Sequence, residues 1–173
     1  DSVKSRGLGD VYKRQGGLVI KKEKLLPHSE INKILSTIEA LLVEKKLVVE
    51  NLIKEDLFLK TDKESFRSIF SNLLNNAIKY SPEGSVISFK HYLDKKYKVI
   101  SIKDNGYGIE KKSIHRIFER FYRSSKARAH TKGTGLGLAL VKQLSARIGC
   151  SVTVESKINS GTEFFVSFLS LIH

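Results

Sequence analysis

The sequence predicts an α+β fold, a two-layer α/β sandwich in which a mixed, mostly antiparallel sheet packs against helices. Three observations predict it. Apolar residues recur at helical spacing in several separated segments, and short strand-like runs stand between them. Tight polar turns join successive runs, which favours antiparallel pairing. The chain has 173 residues, 40% hydrophobic and 28% charged, a size that suits one domain with a real core.

Taken in order, Ser29 can cap a helix over residues 30–46, with Ile31, Ile34, Leu35, Ile38, Leu41 and Leu42 on one stripe. Leu47 to Ile53 and Leu57 to Leu59 read as short strands. Asp62 then opens a long helix to about Tyr80, stopped by Ser81-Pro82-Glu83-Gly84. Strands near 86–92 and 98–103 follow, joined through Asp94-Lys95-Lys96. After a loop at Asn105-Gly106, Ile114, Ile117, Phe118 and Phe121 suggest a small amphipathic helix. A polar stretch leads to Gly133-Thr134-Gly135 and a helix through Leu138, Val141, Leu144 and Ile148, closed by Gly149. Strands near 151–155 and 163–171 finish the chain around Asn159-Ser160-Gly161.

Composition narrows the function. Purely apolar runs such as Leu138-Ala139-Leu140-Val141 fall far short of the ~20 residues that cross a bilayer, so no membrane contact is expected. The single cysteine, Cys150, excludes an internal disulfide and a multi-cysteine metal site, and fits a reducing compartment. A net charge of +13 invites a nucleic-acid reading, yet most lysines are scattered pairs of the kind found on solvated faces. A denser basic stretch, Arg116, Arg120, Arg123, Lys126, Arg128 and Lys132, abuts a glycine-rich loop. That placement points to a compact polyanion such as nucleotide phosphates, and no nucleic-acid partner is expected.

Three segments can carry chemistry. In "FSNLLNNAIKY" (70–80), Asn72, Asn76, Lys79 and Tyr80 follow one stripe beside the apolar face, while Asn75 points towards water. A polar helix edge is the plain reading, but a carboxamide, an ammonium and an aromatic ring also suit a metal–phosphate group beside a base. In "DNGYGIE" (104–110), a strand ends in Asp104 before Gly106 and Gly108. This is either an ordinary turn or a carboxylate placed to accept from an exocyclic amine. "GTGLGLAL" (133–140) leads glycines into a helix start, where amides and dipole favour phosphate, without the spacing of a Walker or Rossmann loop.

In this order the segments resemble the catalytic, ATP-binding domain of sensor histidine kinases, within the GHKL superfamily of ATPases and kinases. The resemblance covers about residues 22–172. "NLLNNAIKYSPEG" looks like the asparagine box, "DNGYGIE" the first glycine box, "IFERFYR" the phenylalanine box, "GTGLGLALV" the second glycine box and "SGTEFFVSF" the closing glycine segment.

The resemblance implies ATP and magnesium as ligands. Asn76 matches the magnesium-binding asparagine, with Asn72 close to metal and phosphates. Lys79 would contact phosphate and Tyr80 would border adenine. Asp104 would read the adenine amino group, with Gly106, Gly108 and Ile109 lining that pocket and Thr162 supporting it. Phe118, Phe121, Tyr122 and Arg123 would belong to a flexible ATP lid between about 107 and 135, Arg123 facing the terminal phosphate. Lys132, Gly133, Thr134, Gly135, Leu136, Gly137 and Leu138 would wrap the phosphates. Asn72, Lys79 and Arg123 are the expected catalytic residues. Lys132 stands where the family often has glycine, and so does Asn159, which tolerates left-handed backbone.

DNA-gyrase-like members place a general-base glutamate where this chain has Asn72, which cannot take a proton. That favours phosphoryl transfer over hydrolysis, with a stand-alone serine kinase of the anti-sigma type as the alternative. None of the five histidines, His28, His91, His115, His130 and His173, stands in a phosphoacceptor context. The histidine is therefore expected on a dimerisation domain outside this fragment, which would not autophosphorylate alone. The resemblance further implies a response regulator downstream, a homodimer only in the full-length parent, and a cytoplasmic domain of a membrane-anchored parent.

"SRGLGDVYKRQ" (5–15) has no apolar core for a signal peptide. Its codons match a transposase-based sequencing-library adapter, so residues 1–15 are expected to be disordered adapter read-through. Residues 16–28 are expected to be a linker, and 29–173 the catalytic domain.

Overall fold

Asp62 decides where the longest helix begins. The computed structural model describes the backbone of residues 11–13, and residues 19–124 and 135–170. The elements are β1 (Val11–Lys13), β2 (Val19–Leu25), α1 (Pro27–Ser36), α2 (Glu39–Glu44), β3 (Val48–Asn51), β4 (Leu59–Asp62) and α3 (Lys63–Lys79). They continue with β5 (Val86–Asp94), β6 (Tyr97–Asp104), α4 (Gly137–Ile148), β7 (Ser151–Lys157) and β8 (Gly161–Leu169). Asp62 Oδ2 accepts from the Ser65 N–H at 2.9 Å and from its hydroxyl at 2.7 Å, which caps α3. Its Oδ1 accepts from the Lys21 N–H at 2.8 Å and ties the cap to β2.

The main sheet runs β3-β5-β6-β8-β7, with β3 parallel to β5 and every other pair antiparallel. A smaller sheet runs β1-β2-β4. The buried face of α3, from Phe66 and Phe70 to Leu73, Leu74 and Ala77, lies on the main sheet. Phe66 meets Phe168 at 6.1 Å and Phe70 meets Phe89 at 6.4 Å between ring centroids. Val141, Leu144 and Ile148 bring α4 onto the same core beside α3. The expected two-layer sandwich is present.

Several boundaries differ from the sequence reading. Residues 19–25, expected in a linker, form β2, which pairs with β4 from Lys22 opposite Asp62 to Leu25 opposite Leu59. Ile20 and Leu25 are its only buried apolar residues, too sparse a pattern to announce a strand. Val11–Lys13, within the stretch expected to be adapter read-through, pairs with β2.

The single helix expected over 30–46 is two, because Ser36 and Thr37 donate their hydroxyls to the carbonyls of Lys33 and Ile34 at 2.8 and 2.7 Å. Pro27, not a residue after Ser29, occupies its first turn. The strand expected at Leu57–Leu59 starts at Leu59 and runs into the α3 cap. The helix expected around Ile114–Phe121 is a chain of turns closed by three-residue bonds, Ser113 to Glu110, Arg116 to Ser113 and Glu119 to Arg116. Asn159 adopts φ +63°, the left-handed backbone expected of it.

Candidate functional site

One large cavity, about 960 Å³, opens between α3, α4, the end of β6 and the turns before Ser124. Its floor is the polar edge of α3. Helical spacing brings Asn72, Asn76 and Lys79 to the cavity with Tyr80, as the stripe predicted. Asn72 Nδ2 donates to the Ser68 carbonyl at 2.7 Å, and its Oδ1 has no hydrogen-bond partner among the described residues. A Cβ placed on Gly137 would lie 3.2 Å from that Oδ1, so the start of α4 and Asn72 face each other closely.

Asp104 forms the other end. It is buried, and its Oδ1 accepts from the Gly106 N–H at 2.8 Å and the Thr162 N–H at 3.2 Å. Both bonds fall on Oδ1, so Oδ2 has no partner among the described residues. Burial pushes this carboxyl up from 3.8 to about 6, against the two amides, which pull it down. Gly106 itself does not reach the cavity. It lies against the Tyr80 carbonyl and Asp104 Oδ1, where any Cβ would collide.

Around the rest of the cavity stand Lys79, Arg120, Arg123 and Lys142, and among the described lining residues Asp104 is the only acid. The α4 N-terminus adds amides, since its cap residue Leu136 makes no side-chain bond to them. The cavity thus joins a buried hydrogen-bond acceptor to a cationic mouth with an open helix start.

Of the expected site residues, Asn72, Asn76, Lys79, Tyr80, Asp104, Gly108, Ile109, Tyr122, Arg123, Gly135, Leu136, Gly137, Leu138 and Thr162 line this cavity. Phe121 does not. Its backbone has φ +65°, its ring is 65% exposed, and the Arg120 guanidinium covers it at 5.4 Å. Lys132, Gly133 and Thr134 lie outside the described residues.

Sequence reasoning missed Leu41, Ile78, Tyr107, Lys142 and Gln143 as lining residues; Arg120, named in the basic stretch, lines the cavity, and Asn75 is exposed as expected while also bordering it. Helical spacing from Leu138 and Ala139 could have found Lys142 and Gln143. Leu41 and Ile78 carry no such signal.

The chain matches the family described as "Histidine kinase-, DNA gyrase B-, and HSP90-like ATPase" over residues 61–171. It is 38% identical over 117 residues to the sensor histidine kinase WalK of Bacillus subtilis (strain 168), covering 66% of this chain and 19% of that protein. It is 39% identical over 111 residues to the phosphate regulon sensor protein PhoR of Pseudomonas aeruginosa, covering 64% of this chain and 25% of that protein. The chain therefore spans a quarter or less of these relatives. Among solved structures, the mycobacterial sensor histidine kinase MprB superposes with a TM-score of 0.74 at 26% identity, over 86% of this chain and 97% of that one.

Proposed function

The chain belongs to the histidine kinase-, DNA gyrase B- and HSP90-like ATPase family, and we propose that it is the ATP-binding catalytic domain of a two-component sensor histidine kinase. In this reading it passes the γ-phosphate of ATP to a histidine on a dimerisation domain outside this chain. The observation that carries the proposal is that one cavity is lined both by Asp104, a buried acceptor for an amino group, and by Lys79, Arg120, Arg123 and Lys142, cations for phosphates. The naming of its relatives as sensor kinases supports the histidine as acceptor.

Each residue then has a task. Asp104 Oδ2 accepts from the adenine amino group, with Tyr80 and Ile109 bordering the base. Lys79, Arg123 and the open start of α4 hold the phosphates in line for transfer. The carboxamide oxygens of Asn76 and Asn72, which line the cavity, would hold magnesium. Magnesium, when bound, neutralises charge on the phosphate oxygens. Asn72 cannot act as general base for water, which keeps the γ-phosphate for another nucleophile. The acceptor domain and, through it, a response regulator are the partners. In this reading the parent is anchored in the membrane with this domain on the cytoplasmic side. No helix among the described residues is long and apolar enough to cross a bilayer.

Calorimetry with a non-hydrolysable ATP analogue, with and without magnesium, tests this reading. Magnesium-dependent binding that Asp104→Ala abolishes is expected. A folded chain that binds no nucleotide would refute it.

A further inference from the structure

Asp104, Thr162 and Ser156 lie in one row across three strands. Thr162 of β8 stands opposite Asp104 of β6 on one side and opposite Ser156 of β7 on the other. Directly paired residues share a face of the sheet, so the three side chains are neighbours. Thr162 and Asp104 line the cavity, while Ser156 sits behind them, outside it.

The Ser156 hydroxyl makes three contacts. It accepts from the Ile109 N–H at 2.8 Å, donates to the Gly161 carbonyl at 2.9 Å, and meets Thr162 Oγ1 at 2.8 Å. A serine hydroxyl has one proton. With that proton on the Gly161 carbonyl, the contact with Thr162 needs the threonine proton. In that arrangement Thr162 points its O–H back at Ser156 and offers the cavity lone pairs alone.

This matters because a carboxylate does not by itself choose between purines. It can accept from the 6-amino group of adenine, or from the N1–H of a 6-oxo purine shifted by one position. Thr162 lines the cavity and pairs with Asp104 across the strands, so a 6-oxo group that reaches Thr162 in the second pose is attracted or repelled according to where the threonine proton is.

Resting on the nucleotide reading above, we propose that Ser156 is a positioning residue for base selectivity: it holds Thr162 Oγ1 as an acceptor and so excludes 6-oxo purine nucleotides. Without Ser156 the threonine proton turns towards the cavity and donates to the 6-oxo oxygen. A buried acceptor facing another acceptor is the kind of mismatch that discriminates strongly.

The test is calorimetry of ADP and inosine diphosphate, which differ only at N1 and C6, with magnesium on the full chain. The wild type is expected to favour ADP by on the order of tenfold or more. Ser156→Ala should narrow that ratio about tenfold, chiefly by tightening inosine diphosphate. Ser156→Cys, of similar volume, reads the same ratio should the alanine variant fail to fold. In a Thr162→Val background, Ser156→Ala should leave the ratio unchanged. Equal weakening of both nucleotides would mark Ser156 as merely structural and overturn the inference while leaving the nucleotide site intact. No ADP binding by the wild type would overturn both.

Discussion

The Thr162 amide donates to Oδ1 of Asp104 at 3.2 Å, and this bond joins two residues opposite each other on the central strands β6 and β8. The acceptor end of the cavity is thus part of the sheet ladder, and its electrostatics follow from the fold.

Asp104 predicts a pH dependence. Burial raises its carboxyl from 3.8 to about 6, so the folded chain holds this proton more tightly than the unfolded one. The associated stability is complete below about pH 4 and is lost as pH rises through about 6, amounting to about 3 kcal/mol. Nucleotide binding runs the opposite way, because an amino donor favours the carboxylate. ADP affinity should rise between about pH 5 and 7 with proton release, measured by calorimetry in buffers of different ionisation enthalpy. Asp104→Asn should abolish the release.

Asn76 predicts a metal effect. Asn76→Ala should weaken ADP binding about tenfold with magnesium and little without it. An equal loss in both conditions would assign the carboxamide to the nucleotide instead.

Gly161 predicts a stability effect. It has φ +98°, and a Cβ there would collide with the backbone carbonyl of Asp104. Gly161→Ala should lower unfolding free energy by about 2 kcal/mol or more, read as a shift in urea midpoint. An unchanged midpoint would mean that β6 and β8 part at little cost.

Glu30 predicts the strength of the α1–α3 joint. It is 4% exposed and accepts from Arg67 Nε at 2.8 Å, with Lys33 at 3.4 Å on its other oxygen. Glu30→Ala should destabilise by about 1–3 kcal/mol in thermal unfolding, and Glu30→Gln by less.

The sequence made the regular elements legible where local signals were strong. Asp62 as cap, the apolar face of α3 and the left-handed Asn159 each depend on a few adjacent residues. β2 was illegible because its evidence is a partner strand some forty residues on, with Lys21 bonded to Asp62. The break after Ser36 required knowing that two exposed hydroxyls would bond back to carbonyls three residues earlier. For the site, motif positions placed most of the lining, since glycines and asparagines at fixed spacing carry their own geometry. Leu41 and Ile78 were missed because an apolar residue on a cavity wall looks like any core residue. Phe121 was misplaced because a positive φ in an aromatic residue has no sequence signature.

β6 and β8 are sheet neighbours, yet the chain between them, from Asn105 to Ser160, includes the turns over the cavity, α4 and β7. Among the described residues, the turns and α4 that line one side of the cavity thus belong to one excursion with both ends pinned by adjacent strands. The entropy of closing such an excursion grows only with the logarithm of its length, about 0.6 kcal/mol per doubling. A change of length within that excursion therefore costs the sheet little. Evolution can reshape the turns on that side of the cavity while β6 and β8 keep their register.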